Sequence, residues 1–264
     1  MHPILLEIGP IVVYSMWFMI VLGIIAGGFI FIKLAKEHSL KLNFILDHSI
    51  AIIFAGILGA RLLFIMKNFG YYFFQVNISS ILSFFYIWDR GLSAWGGIFG
   101  VVAALIYFCK KEDQPILRWL DILFISIMVG LVFGNIGAFL EGSISYGKET
   151  ALPWGVKIEG PTMKYTIPIH PTQLYAAIYT LILSAASIFV FVKKLLEKDG
   201  DIFVFGTLTY AVIRFLEEFL RGDDVLTFLG LREGQVISLI AIIMAGLYLL
   251  IRYNKLKFPK LKLK

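Results

Sequence analysis

Residues 11–32 read IVVYSMWFMIVLGIIAGGFIFI and contain no Asp, Glu, Lys or Arg. A helix of about 20 apolar residues is long enough to cross the hydrocarbon core of a bilayer. The strands of a membrane β-barrel would instead alternate apolar and polar residues, and this run does not. The stretch therefore predicts a transmembrane α-helix.

Six more apolar runs of similar length follow along the chain. The seven predicted spans cover roughly 11–32, 46–66, 92–109, 117–140, 173–192, 202–220 and 235–252. Charged residues make up only 16% of the chain, whereas a soluble domain carries about a quarter. Most of the surface must therefore face something other than water. We predict an all-α polytopic membrane protein, with residues 1–264 forming a single transmembrane domain.

The basic residues gather in the loops on one side of the predicted spans and in the tail 252–264. Fifteen Lys and Arg residues fall on that side, against seven on the other. Because cytoplasmic loops carry the excess of positive charge, we predict the N-terminus outside and the C-terminus in the cytoplasm. Topology and contact with anionic lipid thus account for the net charge of +6, and we expect no nucleic-acid partner.

Two segments on the predicted outer side are longer than simple turns. Residues 68–88 are dense in aromatic side chains, which is typical of a segment lying at the level of the lipid headgroups. Residues 141–172 contain four of the eight prolines of the chain, and we predict a folded loop or small cap there. Glycine pairs spaced four apart, at 23/27, 96/100 and 130/134, predict close helix packing.

Charged side chains inside the spans are costly, so each one needs a reason. The predicted topology places Arg61, Arg214 and Glu218 in the outer halves of their spans. It places Asp47 and Asp121 on the cytoplasmic side, where we expect them to act as local pairs or anchors. The ionisable residues that matter for function are therefore predicted near the outer face.

Arg214 and Glu218 are four residues apart and share one helical face, with Arg221 on a similar face and Glu217 expected to be rotated away. Two interpretations remain open from the residues alone. The first is a buried ion-pair network that fixes helix packing. The second is a cavity that opens to the outer leaflet and holds an anionic headgroup.

Signatures of conventional enzymes are missing from the sequence. It contains no H-E-x-x-H, G-x-S-x-G or Walker motif, and we expect neither a metal nor a cofactor. His170 precedes Pro171 at the start of the fifth span, where it is either a hydrogen-bonding residue or a base.

Short motifs spread along the chain carry a family resemblance. They are IGP at 8–10 with Tyr14, GAR at 59–61, WDRGLSAWGG at 88–97, GNIGAF at 134–139, YGK at 146–148, LPWG at 152–155, HPTQLY at 170–175, YAVIR at 210–214, EFLR at 218–221 and GQVIS at 234–238. In order and spacing, the chain resembles the prolipoprotein diacylglyceryl transferases over most of its length.

The resemblance implies a multi-pass enzyme of the bacterial cytoplasmic (inner) membrane, with its site near the outer leaflet. The implied reaction moves a diacylglyceryl group from phosphatidylglycerol to the lipobox cysteine thiol of a prolipoprotein signal peptide. The implied partners are these two substrates and the surrounding membrane lipid. The implied catalytic residues are Arg214 for the phosphate, Glu218 and Trp95. The implied substrate-binding residues are Asn135, Arg61, Gly96, Gly97, Gly134, Gly137, Gly147, His170, Gln173, Tyr175, Arg221 and Gln235.

Several positions depart from the family pattern. Asn135 stands where the family usually has an arginine, and Trp95 offers an N–H donor but no base. Met16, Ala138 and Ala176 also replace residues that are more polar in many members. These departures leave two alternatives open: a non-catalytic paralogue that binds phospholipid or lipoprotein, and a related transferase with another lipid donor or acceptor. A small-solute transporter is disfavoured because no internal repeat is evident.

Overall fold

The fold is known from a computed structural model. It describes residues 2–9, 11–73, 91–142, 145–158, 167–196, 198–223, 225 and 227–253. The predicted basic tail beyond residue 253, and residues 74–88 of the predicted aromatic segment, lie outside these ranges.

Helices make up most of the described chain. They are α1 (Ser15–Glu37), α2 (Leu42–Lys67), the short α3 (Phe69–Phe73), α4 (Ala94–Lys111), α5 (Ile116–Glu141), α6 (Thr172–Val192), α7 (Asp201–Glu217) and α8 (Glu233–Arg252). Within the described ranges, six of them are long and apolar enough to cross a membrane. The seventh predicted span corresponds to α7, which is shorter at 17 residues and is continued by the 3₁₀ turn Glu218–Leu220. The predicted all-α polytopic membrane fold is confirmed.

The first predicted span began too early. The strands β1 (Ile4–Ile8) and β2 (Ile11–Tyr14) pair antiparallel, and α1 begins only at Ser15. The residues of both strands are largely β-branched or leucine, which favour extended backbone, and Gly9 adopts the positive φ of +57° that the tight turn requires. Hydropathy alone could not separate these strands from the helix that follows.

Packing divides the chain into two compact units, and the smaller one is Ala35–Leu120. Here α2 and α4 approach closely through glycines. A Cβ added to Gly59 would lie 3.1 Å from the Cα of Gly100 and would also overlap the carbonyl oxygen of Gly96. This contact confirms the close packing that the 96/100 spacing predicts.

The larger unit comprises Met1–Leu34 and Asp121–Lys264. Helices α1 and α5 meet at Gly23 and Gly27, where an added Cβ would lie 2.8 Å from the carbonyl oxygens of Gly130 and Ser126 respectively. The 23/27 spacing therefore marks a true helix contact, whereas a Cβ on Gly134 would meet nothing within 4 Å.

Asp121 anchors the start of α7 within this larger unit. Its carboxylate accepts hydrogen bonds from the backbone N–H groups of Gly200, at 2.6 Å, and Phe203, at 2.7 Å. The first N–H groups of a helix have no partner inside the helix, so an acidic side chain placed there satisfies them. This is the local anchoring role predicted for Asp121.

The described part of the connection between α5 and α6 is folded, and its position as an outer cap stays a prediction. Ile169 lies at its centre, in antiparallel bridges with Glu149 and Val156. Tyr146, Ile158 and Ile169 form its small buried core. Here this region, residues 145–158 and 167–171, is termed the cap.

Candidate functional site at the end of helix α7

Arg214 lies near the end of α7 between two consecutive carboxylates. Its Nη1 donates to Glu217 Oε1 at 2.7 Å and its Nη2 donates to Glu218 Oε1 at 2.6 Å. The predicted Arg214–Glu218 pair is present, but the expectation that Glu217 is rotated away is wrong. Residues three and four apart both neighbour a given position on a helix surface, so the guanidinium fork reaches both.

Glu218 also contacts two further arginines. Arg232 Nε donates to Glu218 Oε2 at 2.7 Å, and Arg221 Nη1 lies 3.7 Å from Oε1. The Glu218 side chain is only 3% exposed, so these charges compensate the loss of water around it. Three guanidinium groups, including that of Arg214, thus converge on one buried carboxylate.

Asp223 binds the two arginines, Arg221 and Arg232, that also contact Glu218. It accepts two hydrogen bonds from Arg221, at 2.6 Å and 3.0 Å, and one from Arg232 at 2.8 Å. Burial by itself raises the pKa of Asp223, but the hydrogen bonds and charges of the two arginines outweigh it and hold that pKa below its ordinary value. The ion cluster is defined as Arg214, Glu217, Glu218, Arg221, Asp223 and Arg232, with three positive and three negative side chains.

Helix α6 places a tyrosine beside the ion cluster. Tyr179 donates its hydroxyl proton to Glu217 Oε2 at 2.7 Å. The ring of Tyr210, on α7, lies beside it with the ring centroids 5.9 Å apart. Glu217 is therefore held on one oxygen by Arg214 and on the other by a neutral hydroxyl group.

Gln235 supports the cluster through the start of α8. Its side-chain oxygen accepts the backbone N–H of Arg232 at 3.0 Å. This is the reach-back contact of a helix-capping glutamine, and Gln235 itself is buried. The resemblance implied a substrate contact for Gln235; the geometry gives it a capping role.

Backbone hydrogen bonds join the cap to the residues at the end of α7. Gly147 forms an antiparallel bridge with Arg221, and the N–H of Lys148 donates to the carbonyl of Leu220 at 2.8 Å. His170 packs so closely on Gly147 that a Cβ at Gly147 would overlap the His170 backbone. Three predicted site residues, Gly147, His170 and Arg221, are thereby brought together.

An open cavity of about 400 Å³ lies where the cap meets the residues that follow α7. It is lined by Tyr146, Gly147, Lys148, Glu149, Ile169 and Gly222.

His170 and Tyr175 form a hydrogen-bonded group with Trp154. Trp154 Nε1 donates to the Tyr175 hydroxyl at 2.8 Å, and His170 Nδ1 lies 3.2 Å from the same oxygen. The indole can only donate, so the Tyr175 proton is free to point to His170 Nδ1. The structure thus shows His170 in a hydrogen-bonded group, and its role as a base stays a prediction.

The remaining predicted residues of the larger unit lie on other parts of it. Asn135 is half-buried on α5, and its amide has no hydrogen-bond partner among the residues that the structure describes. Gly137 packs on α1, since an added Cβ would lie 2.9 Å from Met19 Cβ. Gln173 is buried in the first turn of α6.

Arg61, Trp95, Gly96 and Gly97 belong to the smaller unit. Arg61 is buried, donates from Nη1 to the carbonyl of Gly91 at 2.9 Å, and lies 5.7 Å from the ring centroid of Phe64. Trp95 stacks on Phe99 with the ring centroids 6.5 Å apart. Gly96 packs against Gly59. The convergence of this group with the ion cluster stays a prediction.

Two residues of the ion cluster, and Tyr179 beside it, were not singled out from the sequence as partners of Arg214. Asp223 and Arg232 lie in a loop and a short strand, and Tyr179 lies on another helix; no spacing rule connects them to Arg214. Across the described ranges, no three His, Cys, Asp or Glu side chains lie close enough together to hold a metal ion. The cluster offers hydrogen-bond donors for an anion and carboxylates for protons.

Known proteins resemble this chain over nearly its whole length. The family model described as prolipoprotein diacylglyceryl transferase matches residues 3–252. A phosphatidylglycerol–prolipoprotein diacylglyceryl transferase of Finegoldia magna is 34% identical over 243 residues, covering 91% of this chain and 92% of the relative. The protein of the same name from Clostridium tetani is 33% identical over 244 residues, covering 92% and 94%. This chain belongs to the prolipoprotein diacylglyceryl transferase family.

Proposed function

We propose that this protein transfers a diacylglyceryl group from phosphatidylglycerol to the lipobox cysteine of prolipoprotein signal peptides. The observation that carries the proposal is the largely buried Arg214, fixed between Glu217 and Glu218 in a family member whose relatives bear the name of this reaction. The site lies near the outer leaflet of the bacterial inner membrane.

The reaction needs a fixed positive group where negative charge develops. The acceptor sulfur attacks the glycerol carbon, and the phosphate oxygen leaves with the electrons of the broken C–O bond. Arg214 has five N–H donors, and the carboxylates use two of them. Of the residues described, none accepts from the other three, which are available to a phosphate. Burial strengthens the resulting charge interaction.

The rest of the ion cluster holds Arg214 in place. Arg221 and Arg232 secure Glu218, and Asp223 secures both of these arginines. A guanidinium that is already oriented does not have to reorganise when the phosphate departs, which is the main source of electrostatic catalysis. Asn135, whose amide has no partner among the described residues, is a further donor for the phospholipid in place of the arginine typical of the family.

A non-catalytic role is the second candidate. It is favoured by the balance of three positive and three negative side chains in the cluster, and by Trp95, whose indole cannot act as a base. In that case the protein binds phospholipid or lipoprotein without turnover.

A transfer assay separates the two. The purified protein, in nanodiscs containing phosphatidylglycerol, is incubated with a synthetic lipobox peptide, and mass spectrometry detects the diacylglyceryl adduct. We expect the adduct with the wild-type protein and a loss of at least about 100-fold in Arg214→Ala, as for removal of an oxyanion donor. Absence of transfer above the Arg214→Ala background would refute catalysis. Rescue of a transferase-depleted strain tests the same point in cells.

A further inference from the structure

The three carboxylates of the ion cluster differ in how many cations hold them. Glu218 contacts Arg214, Arg221 and Arg232. Asp223 contacts Arg221 and Arg232. Glu217 has an ion pair with Arg214 and with no other cation among the residues that the structure describes. Adding a proton to Glu217 therefore removes one ion pair, whereas adding it to Glu218 would weaken the charge compensation of three largely buried guanidinium groups.

Among the described residues, Glu217 alone of the three carboxylates accepts a hydrogen bond from a hydroxyl group. Its Oε2 accepts the hydroxyl of Tyr179 at 2.7 Å, and Tyr179 is half-buried where the Glu217 side chain is only 5% exposed. A hydroxyl can donate one proton while it accepts another. Tyr179 is thus placed to pass a proton from a substrate to a carboxylate that the substrate does not reach.

We propose, resting on the proposed function, that Tyr179 and Glu217 form the proton-accepting pair of the transfer reaction. The thiol proton of the acceptor cysteine moves to the Tyr179 oxygen as the Tyr179 proton moves to Glu217 Oε2. The sulfur electron pair then forms the S–C bond, and the C–O bond electrons leave on the phosphate. The proton on Glu217 finally passes to the glycerol phosphate, whose second ionisation lies near pH 6, or to water.

The arrangement couples proton uptake by Glu217 to the negative charge that develops on the leaving phosphate. Arg214 joins Glu217 to the phosphate position, so neutralising Glu217 frees positive charge on Arg214 just as the phosphate gains a second negative charge. The groups facing Glu217 are Arg214 and Tyr210 on α7, Glu218 in the 3₁₀ turn that follows, and Tyr179 on α6. None of these contacts requires a movement of the backbone.

The first test is a pH–rate profile of the transfer assay. We expect Glu217→Gln to lower the rate by about 10²–10⁴-fold and to change the pH dependence of the remaining activity, because an amide cannot accept the proton. Tyr179→Phe, a milder change, should reduce the rate in the same direction. Tyr107→Phe, which removes an exposed hydroxyl from α4, is the matched control and should be unchanged. An unchanged profile in Glu217→Gln would overturn the proposal.

A second measurement does not depend on turnover. Difference infrared spectroscopy follows the C=O stretch of protonated carboxyl groups as the folded protein is titrated with acid. We expect one band that disappears in Glu217→Gln and shifts in Tyr179→Phe, where its hydrogen bond is lost. Absence of a band assignable to Glu217 would refute the proton-accepting pair even in an active enzyme. A clear band in a protein without transfer activity would refute the proposed function and leave the pair standing.

Discussion

Arg232 and Glu218 form an ion pair, with Nε 2.7 Å from Oε2, although fourteen residues separate them in the chain. The pair joins the end of α7 to the start of α8, because Arg232 immediately precedes α8. Through Glu218 the same contact reaches Arg214. The position of the central arginine therefore depends on how two helices and the loop between them are held.

Glu218→Gln tests this dependence. Removing one partner from a buried ion pair typically costs about 3–5 kcal/mol, because the other charge is left uncompensated, and here three arginines are affected. We expect a clear fall in the thermal unfolding temperature of the detergent-solubilised protein. Glu112→Gln is the control: that side chain pairs with His48 but is 41% exposed, and an exposed pair contributes about 0–1 kcal/mol. Equal effects of the two substitutions would contradict the argument.

Gly234 and Gly246 allow a sharper comparison on the same helix. A Cβ on Gly234 would overlap the Glu218 carboxylate, whereas one on Gly246 would meet nothing within 4 Å. We expect Gly234→Ala to lower both stability and transfer activity. Gly246→Ala should be neutral or stabilising by up to about 1 kcal/mol, because alanine is the better helix former. The measurements are thermal unfolding and the peptide adduct; loss of activity in Gly246→Ala would show that helix composition, not the Glu218 contact, matters.

Sequence reasoning predicted the central pair of the ion cluster but not the residues around it. The i, i+4 spacing predicted Arg214–Glu218 correctly, since helix geometry fixes that distance. The same reasoning misplaced Glu217, because a long guanidinium spans positions i+3 and i+4 together. Asp223, Arg232 and Tyr179 could not be predicted, because a loop, a two-residue strand and a separate helix bring them in.

The fold shows the same division between local and tertiary information. Apolar length predicted the spans, because each helix satisfies its own backbone hydrogen bonds in lipid. The hairpin of β1 and β2 was missed because Ile and Val are equally apolar in strands and in membrane helices. Gly27 and Gly134 look alike in sequence, and only tertiary structure distinguishes the packed glycine from the open one.

Asp121 and Asp47 were both predicted as cytoplasmic-side anchors, and their surroundings differ. Asp121 is 3% exposed and accepts the N–H groups of Gly200 and Phe203, whereas Asp47 is exposed. Asp121→Ala leaves the buried N–H of Gly200 and the partly buried N–H of Phe203 without this partner, which costs about 1–3 kcal/mol for a buried donor. We expect a lower unfolding temperature for Asp121→Ala and almost no change for Asp47→Ala. A stable Asp121→Ala protein would mean that α7 does not need this cap.

The pH dependence of stability should report on Asp223. Its pKa is lower in the folded protein than in the unfolded chain, where the ordinary aspartate value is about 4. A group of this kind stabilises the fold at pH above its unfolded value, and the contribution is lost as the pH falls through the folded value. We therefore expect wild-type stability to fall on acidification below about pH 4, measured as unfolding temperature against pH.

The variant Asp223→Asn should be less stable at neutral pH. Its unfolding temperature should fall less steeply on acidification, since its side chain cannot take up the proton. Arg232→Gln, which removes one of the two cations but keeps Asp223, should give an intermediate slope. If Asp223→Asn and wild type lose stability in parallel on acidification, the two arginines do not hold this carboxylate ionised as the geometry requires.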